Sequence, residues 1–159
     1  QTRTFSSRPP PIPYKPILRE VATISIWDDD YYDYYDEFHP FDNEEFKTGR
    51  DFELYCVRLL QCTGFSNVRR TSESADHGVD ILAEKDGKLY AVQCKLRSNS
   101  TIPRSAVAEI YTGKDLYGAD EGILMTNSEL TRPAYQDAMR LGITVWDTFC
   151  LRLMSDYID

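Results

Sequence analysis

The sequence predicts an α/β fold in which a mixed β-sheet of about five strands is flanked by helices, in the order αβββαβαβ. Three observations support this prediction. A helical pattern starts at Thr48, the two residues Asp86 and Gly87 separate two strand-like runs, and helices then alternate with strands as far as Trp146. Hairpins pair strands antiparallel and helical crossovers pair them parallel, so this sheet is expected to contain both kinds of pair.

The first element is an amphipathic helix. Thr48, with Asp51 three residues later, is typical of a helix start with a capping hydroxyl. Apolar residues then recur at intervals of three and four, which places them on one face of a helix: Phe52, Tyr55, Cys56, Leu59 and Leu60. Gly64 suits the left-handed residue that ends many helices.

The remaining elements follow from strand-sized apolar runs and from helix start signals. The Asp86-Gly87 pair is a strong signal for a two-residue hairpin turn. We expect strands over residues 67–70, 79–84, 88–96, 122–126 and 143–146. Two further helices are expected to start at Pro103 and Thr131 and to end near Gly118 and Gly142.

The hairpin is the part of the sequence that predicts a site. With Asp86-Gly87 as the two turn residues, Asp80 lies directly opposite Gln93, whereas a longer loop would shift this register. Directly opposed side chains share a face, and Lys95, two residues beyond Gln93, points to the same face. The expected neighbour of Lys95 is Gly78, which would leave space for a ligand. A carboxylate, an amide and an ammonium group are therefore expected to converge at one end of the sheet.

Two interpretations of this group remain open at this point. A divalent cation such as Mg²⁺ prefers oxygen ligands, which Asp80, Gln93 and the backbone carbonyl of Cys94 would supply. Lys95 would then orient a water molecule or stabilise charge on a phosphoryl group. In the alternative, Lys95 forms a salt bridge with Asp80 and Gln93 is an ordinary strand amide.

Several motifs occur in an order that resembles the catalytic domain of Mrr-type restriction endonucleases, in the PD-(D/E)xK nuclease superfamily. The resemblance covers roughly residues 48–155 and rests on Phe52-Glu53, Gly64-Phe65, Asp76-His77-Gly78-Val79-Asp80-Ile81, Tyr90-Ala91-Val92-Gln93-Cys94-Lys95 and Thr126-Asn127-Ser128. It implies a restriction-endonuclease-like fold and a DNA endonuclease that uses Mg²⁺, with Mn²⁺ as a substitute.

The resemblance also implies roles for individual residues. Asp80 corresponds to the metal-binding aspartate, Gln93 to the second acid of the superfamily, and Lys95 to the catalytic lysine. Glu53 stands where many members have an additional acid, and either an inward metal contact or a surface or capping role suits its position. Because Gln93 is neutral, metal affinity should be weaker, and Gln93→Glu is expected to lower the Mg²⁺ concentration needed for cleavage.

Five further residues are weaker candidates. His77 either contacts the scissile phosphate, or acts as a base, or is only a loop residue. Asp76 either supports a metal ligand or forms a turn. Asn127 either contacts a DNA phosphate or satisfies backbone groups at a strand end. Arg97 and Ser98, just past the catalytic strand, are candidate DNA contacts.

Other basic residues are candidate phosphate contacts, although each alone is as well explained by a solvated surface: Arg69, Arg70, Lys88, Arg104 and Lys114. The sequence contains no helix-turn-helix or zinc-finger pattern. Base-specific recognition is therefore expected in other parts of a longer chain or in another subunit. Cleavage of both DNA strands requires two sites or two visits, so a homodimer is a further expectation.

Charge divides the chain into two segments. The net charge is −8, which at first argues against a nucleic-acid partner. Residues 1–47 hold ten acidic and five basic residues, so five of the eight negative charges lie outside the endonuclease-like domain expected over residues 48–159. The first segment is Pro-rich and then acidic and aromatic, which is typical either of a flexible tail or linker or of an element that contacts a protein partner.

The cysteines and the hydropathy indicate the cellular setting. The four cysteines lack metal-ligand spacing, so we expect small buried side chains in a reducing cytoplasm rather than a zinc site or disulfides. No apolar run approaches the roughly 18 residues of a membrane helix. The chain starts at Gln1, so an upstream targeting or membrane segment stays open.

With the family resemblance, these patterns lead us to expect a metal-dependent DNA endonuclease that restricts foreign or modified DNA as a form of defence. The alternatives are a catalytically weak nucleic-acid-binding module and a protein-interaction module that keep the nuclease fold.

Overall fold

The structure, a computed structural model, describes residues 46–72 and 77–155. The expected tail therefore lies outside the described residues except for its last two positions, and so does Asp76. The ring of Phe46 packs edge-on against those of Phe52 and Tyr55, with 5.1 Å between centroids in both pairs. The folded domain thus includes Phe46, two residues before the expected boundary.

The first helix, α1, spans Gly49–Cys62 and begins as the sequence predicts. The Thr48 hydroxyl accepts a hydrogen bond from the Asp51 N–H at 3.1 Å, and the Asp51 carboxylate accepts one from the Thr48 N–H at 2.9 Å. This reciprocal pair satisfies two of the N–H groups that a helix start leaves unpaired. Gly64, just past the helix, has a φ of +93°. The expected left-handed position is therefore confirmed.

Five strands form one mixed sheet in chain order. They are β1 (Ser66–Arg70), β2 (Ile81–Lys85), β3 (Lys88–Lys95), β4 (Glu121–Thr126) and β5 (Thr144–Trp146). Strands β1, β2 and β3 pair antiparallel, whereas β3, β4 and β5 pair parallel. The central strand, β3, therefore has an antiparallel neighbour on one side and a parallel one on the other.

Helices cover both faces of this sheet. The three that follow β3 are α2 (Arg104–Leu116), α3 (Arg132–Leu141) and α4 (Thr148–Ser155). One apolar cluster joins α1 and α4 to one sheet face, where Phe52, Leu59 and Trp146 are almost completely buried. A second joins α2 and α3 to the other face, around Ile110 and Leu124. The predicted α/β class with a five-stranded mixed sheet is confirmed.

Most predicted element ends agree within one or two residues, and two differences from the prediction have a physical reason. Helix α4 was not predicted, because its eight residues are too few to establish a helical period in the sequence. Strand β2 begins at Ile81 rather than at Val79. Residues two apart in a regular strand point to the same face. Val79, however, belongs to the cluster on the α2 side and Ile81 to the cluster on the α1 side. The regular alternation of a strand is therefore interrupted at Asp80.

The four cysteines are free, but they are not all buried. Cys56 and Cys150 are buried, Cys94 is half-buried and Cys62 is exposed on the last turn of α1, so the expectation of uniform burial was wrong for the last two. In the part of the chain that the structure describes, no helix combines the length and the apolar composition needed to cross a membrane.

Candidate active site

The hairpin between β2 and β3 has the register that the sequence predicts. Asp86 and Gly87 both have positive φ, +52° and +75°, as expected for a two-residue hairpin turn. Lys85 pairs with Lys88, and the ladder continues without a shift to Ile81 opposite Val92. The turn residues thus determine which residues of the two strands meet at the far end of the hairpin.

Asp80 lies just beyond the last regular pair of this ladder. Its backbone N–H donates to the Val92 carbonyl at 2.8 Å, and its carboxylate oxygen Oδ2 accepts a hydrogen bond from the Cys94 N–H at 2.7 Å. The carboxylate is therefore bonded to β3 at the residue between Gln93 and Lys95. This arrangement brings the three predicted residues to one strand end, although the bond of Asp80 is to the backbone of that strand.

Gln93 and Lys95 are joined by a residue that the sequence analysis did not single out, Glu109 of α2. Gln93 Nε2 donates to Glu109 Oε2 at 2.7 Å, and Lys95 Nζ donates to the same oxygen at 2.9 Å. Lys95 thus forms an ion pair with Glu109, whereas the structural alternative expected one with Asp80. One carboxylate oxygen connects the amide and the ammonium group.

The electrostatics of Glu109 reflect these contacts. Burial acts to raise the pKa of the Glu109 carboxyl, but the hydrogen bonds from Lys95 and Gln93 and the nearby charges of Lys95 and Arg97 outweigh it, so its pKa is lowered. Glu109 is therefore an anion at neutral pH and accepts both hydrogen bonds.

The expected open space beside Lys95 is filled, so that expectation was wrong. Gly78 has a φ of +76°, and a Cβ built on it would lie 3.1 Å from the Glu109 Cβ and 3.3 Å from Gln93 Nε2. The absence of a side chain at Gly78 makes room for Glu109, and not for an external ligand.

Glu53 lies on the other side of the strand end. Its Oε2 accepts two hydrogen bonds from Arg70, from Nε at 3.0 Å and from Nη2 at 2.7 Å. Burial, a hydrogen bond with Cys56 and the negative charges of Asp80 and Glu53 together raise the pKa of the Cys94 thiol. The charges of Glu53 and Asp80 thus both act on the Cys94 thiol, so both acids lie near this end of β3.

The residues present fit the divalent cation that the resemblance implies. Gln93 is 1% exposed, and its Oε1 is a buried oxygen with no hydrogen-bond partner within the described ranges. A buried polar oxygen without a partner is costly, and a bound cation would satisfy it. Among residues 46–72 and 77–155, no three His, Cys, Asp or Glu side chains form a metal-binding group. The expected donor set has only one such side chain, Asp80, together with an amide and the Cys94 carbonyl.

A pocket of about 570 Å³ lies beyond the carboxyl ends of the parallel strands. It is lined by polar and charged residues from two loops and from the first residue of α4: Arg97, Ser98, Asn99, Ser100, Thr101, Asn127, Ser128, Glu129 and Thr148. Thr148 Oγ1 is buried there without a hydrogen-bond partner in the described part of the chain. Ligands of open α/β sheets bind at this edge.

Asn127 acts as a structural link at the rim of this pocket. Its Oδ1 accepts from the Arg97 N–H at 2.8 Å, and its Nδ2 donates to the Arg97 carbonyl at 2.7 Å. The side chain is buried, so the amide holds the segment after β3 against the end of β4. Of the two expectations for Asn127, these bonds support the one in which it satisfies backbone groups at a strand end. They give no support to a DNA contact.

The candidate phosphate contacts differ in their availability. Four of the basic residues pair with carboxylates: Arg70 with Glu53, Lys88 with Glu121, Arg104 with Asp137 and Lys114 with Asp115. Arg69 and Arg97 instead donate to the backbone carbonyls of Asn67 and Leu96. Arg97 also lines the pocket, which makes it the candidate best placed for an external phosphate.

His77 is exposed, in a turn at the start of the segment that leads to Asp80. Its φ is +45°, a left-handed conformation that histidine adopts more readily than most residues but that is still uncommon. The backbone carbonyl of His77 faces α2, where a Cβ on Gly113 would lie 2.5 Å from it. The turn therefore packs directly on the helix that carries Glu109.

The sequence contained one signal for Glu109. It is the only acidic residue in the first two turns of α2, beside the apolar stripe of Ala106, Val107 and Ile110. That signal shows only that a carboxylate lies at the edge of the buried face. Its contact with Gln93 depends on how α2 packs on the sheet.

Comparisons with known proteins identify the family. The family model for restriction endonucleases of the Mrr type, Mrr_cat, matches residues 46–153. The match covers more than half of the chain, and the chain belongs to this family. It therefore contains a restriction-endonuclease-like nuclease domain, as the motifs predicted. No curated protein sequence gives a significant match.

Solved structures share the fold at low sequence identity. A protein of unknown function, AF1548, is 21% identical with a TM-score of 0.52, over 59% of this chain and 56% of its own. Can2 from Sulfobacillus thermosulfidooxidans, solved with cyclic tetra-adenylate, is 20% identical with a TM-score of 0.53, over 70% and 36%. The MspJI restriction endonuclease, solved with a 27-mer oligonucleotide, is 18% identical with a TM-score of 0.53, over 85% and 30%. This chain thus spans between about a third and just over half of each of these structures.

Proposed function

We propose that this domain is a Mg²⁺-dependent endonuclease that hydrolyses DNA phosphodiester bonds. One observation carries the proposal. The buried, unpartnered Oε1 of Gln93 lies next along the strand to the N–H group that binds the Asp80 carboxylate. The Asp80 carboxylate, a spare amide oxygen and the Lys95 ammonium group occupy the same strand end, in a member of a nuclease family.

The chemistry follows from these donors. Asp80, Gln93 Oε1 and the Cys94 carbonyl would hold the cation, since Mg²⁺ prefers oxygen ligands and keeps several waters. When bound, Mg²⁺ lowers the pKa of a coordinated water and offsets negative charge on the phosphoryl oxygens. Asp80 supplies the one full negative charge of the set, so its loss should affect metal binding most.

Lys95 has a separate role in this proposal. An ammonium group has three N–H donors, and Glu109 uses one of them. The others are available to orient the attacking water or to stabilise charge on the phosphate in the transition state. Lys95 is about one-quarter exposed, so it is accessible to DNA without leaving Glu109.

Glu53 is the additional acid of the proposed site. Its charge reaches the same thiol as that of Asp80, but Arg70 occupies its Oε2. We infer that Glu53 strengthens the negative potential around the cation, with Arg70 fixing its position.

The polar pocket offers a path for the DNA backbone. Arg97 follows Lys95 by two residues and supplies a cation, while Ser98 and the loop after it supply hydroxyl and backbone groups. Sugar-phosphate recognition uses such donors. The pocket lining contains no aromatic residue on which a base could stack, which favours backbone contact over base recognition.

Restriction of foreign or modified DNA in the cytoplasm is the biological role that the family suggests. The choice of target would then depend on further chain or another subunit, since the structural relatives are longer than this domain. A second copy would supply the site for the other strand. Residues 1–47, acidic and aromatic, would contact a protein partner.

A plasmid-nicking assay tests the catalytic proposal. The wild-type chain should nick supercoiled DNA with Mg²⁺ or Mn²⁺ and not with EDTA. Asp80→Ala and Lys95→Ala should each lower the rate by about 100-fold or more. Lys88→Ala, at the opposite end of the same strand, is the matched control and should act like wild type. Activity that survives in both site variants would refute the site, and wild-type DNA binding without cleavage would support a binding module instead.

A further inference from the structure

We propose that Glu109 is a positioning residue, whose single carboxylate oxygen fixes the orientation of the Gln93 amide and holds Lys95 beside it. The inference rests on the proposed function, because it concerns how Gln93 presents an oxygen to a cation. The two hydrogen bonds on Glu109 Oε2, at 2.7 and 2.9 Å, carry it.

The amide of Gln93 has two ends of nearly equal shape and opposite character. Oε1 accepts hydrogen bonds and can bind a cation, whereas Nε2 only donates and would repel one. An ionised carboxylate only accepts hydrogen bonds, so Glu109 must face Nε2. Oε1 is then turned away from Glu109, where it is buried and without a partner in the described part of the chain. Glu109 therefore determines that the oxygen, and not the nitrogen, is presented.

Two glycines bring Glu109 to this position. Gly113 lies one turn further along α2, and a Cβ on it would lie 2.5 Å from the His77 carbonyl and 2.7 Å from a Val79 methyl group. Gly78 lies directly against Glu109 and Gln93. Real Cβ atoms almost never lie 2.5 Å from a backbone oxygen, so α2 can pack against this turn only with glycine at position 113. At position 78 the φ of +76° favours glycine, and a Cβ would press on Glu109 and Gln93.

Lys95 gains a fixed position from the same oxygen. Its side chain would otherwise sample many rotamers, and a hydrogen bond to a charged partner limits that freedom. Because Oε2 of Glu109 binds both donors, the amide of Gln93 and the ammonium of Lys95 are held in a fixed relation to each other. Glu109 thus couples the residue proposed for metal binding to the residue proposed for catalysis.

Where the superfamily has an acidic residue, this chain has the neutral Gln93. The negative charge lies instead on Glu109, which accepts a hydrogen bond from Gln93. This changes what the substitution Gln93→Glu should do. A second carboxylate would replace the donor that now lies 2.7 Å from Glu109 Oε2, and two carboxylates at that distance repel. The charge can move to position 93 only if position 109 becomes an amide at the same time.

Three variants test the proposal: Glu109→Gln, Gln93→Glu and the double exchange Gln93→Glu/Glu109→Gln. Asp115→Asn, which removes one negative charge from the exposed end of the same helix, is the matched control. The first readout is the side-chain amide signal of Gln93 in the metal-free protein, measured by NMR. In wild type and in Asp115→Asn this amide should exchange slowly with solvent because it donates to a carboxylate, and Glu109→Gln should shift its resonance and speed its exchange.

The second readout is the affinity for Mn²⁺ alone, measured by calorimetry without DNA. Glu109→Gln should weaken Mn²⁺ binding about tenfold, as loss of a partner that orients a ligand commonly does. Gln93→Glu alone should not bind Mn²⁺ more tightly than wild type. The double exchange restores a donor facing an acceptor and should bind Mn²⁺ at least as tightly as wild type.

Distinct results would overturn the inference. An unchanged Gln93 amide signal in Glu109→Gln would show that Glu109 does not orient the amide. Loss of Mn²⁺ binding in Glu109→Gln as complete as in Asp80→Ala, without recovery in the double exchange, would make Glu109 a metal ligand instead. If the wild type neither binds Mn²⁺ nor nicks DNA, the proposed function fails, and the amide signal still decides whether Glu109 positions Gln93.

Discussion

Arg70 and Glu53 connect the edge strand β1 to helix α1 through a single carboxylate oxygen, at 3.0 Å from Nε and 2.7 Å from Nη2 of the guanidinium group. The two side chains are 26% and 23% exposed, so solvent screens the pair only in part. An ion pair of this kind contributes about 1 kcal/mol or less to stability. It also holds an acid close to the proposed cation site, and the two effects are separable by experiment.

The two partners of this pair should differ in their effect on cleavage. Glu53→Gln and Arg70→Ala should each lower the free energy of unfolding by about 1 kcal/mol. Because Glu53 adds negative potential to the site, Glu53→Gln should also raise the Mg²⁺ concentration for half-maximal nicking, by up to about tenfold. Arg70→Ala should not raise it. Urea unfolding measures the stability of each variant, and nicking at increasing Mg²⁺ concentrations measures its Mg²⁺ requirement. If the two variants require equal Mg²⁺ concentrations, Glu53 contributes to stability and not to the cation site.

Gly78→Ala should affect both stability and cleavage. The backbone at Gly78 is left-handed, which costs a non-glycine residue about 1 kcal/mol, and the new methyl group would press on Glu109 and Gln93. We expect a loss of about 1–3 kcal/mol in stability and at least a tenfold slower nicking rate. Gly118→Ala is the control, because Gly118 is also left-handed but has no atom within 4 Å of a Cβ. Similar nicking rates in the two variants would contradict the importance of this packing.

Asp147 predicts a pH dependence of stability. Burial raises the pKa of its carboxyl, against the hydrogen bonds from Tyr135 and Cys150. As pH rises above the ordinary aspartate pKa of about 4, the unfolded chain releases this proton before the folded one does, so this group's contribution to stability falls as pH rises.

Two variants separate the charge of Asp147 from its hydrogen bonds. Asp147→Asn keeps an acceptor for the Cys150 N–H and removes the charge, so it should lose less stability than wild type between about pH 4 and 7. Asp147→Ala should be about 1 kcal/mol less stable than Asp147→Asn at every pH, because both variants lack the charge and only the alanine variant loses the cap at the start of α4. Urea unfolding over this pH range measures the difference, and parallel curves for wild type and Asp147→Asn would contradict a raised pKa.

Arg97 is expected to contact a DNA phosphate. Arg97→Ala should weaken DNA binding at low salt and reduce the slope of log affinity against log salt by about 1, because one phosphate contact releases about one counterion. Arg104→Ala is the control, since its guanidinium group pairs with Asp137 at 2.6 Å. Fluorescence anisotropy with a labelled duplex at several salt concentrations measures both slopes. Equal slopes for Arg97→Ala and wild type would remove Arg97 from the interface.

The hairpin could be predicted from the sequence because its geometry is local. The two turn residues at 86 and 87 determine the pairing of every residue back to Ile81, and the observed pairing agrees with the expected one. Asp80 lies just outside this ladder, after a left-handed turn at His77 and Gly78, and the side chains of Val79 and Ile81 on either side of it face opposite ways. Local patterns thus place the site at the correct end of the sheet, but not its contacts.

Glu109 could not be predicted because its contacts arise from packing between distant elements. It lies 14 residues after Lys95, on a helix whose approach to the sheet is set by Gly78 and Gly113. A glycine inside a helix usually indicates lower stability, and only the close contact with His77 reveals its purpose. The same reason applies to Arg70, whose expected phosphate contact is replaced by an ion pair across two elements.

The order of the strands in the sheet is also their order along the chain. Each strand consequently pairs with its immediate neighbours in sequence. The β2–β3 pair is the most local, because a two-residue turn joins its strands, whereas the parallel pairs β3–β4 and β4–β5 each close across a helix and are expected to form more slowly. Asp80, Gln93 and Lys95 all lie within the β2–β3 hairpin and its flanks, so these residues of the proposed site meet once this unit closes. Glu109 arrives only when α2 docks, and formation of the complete site should therefore coincide with the docking of that helix.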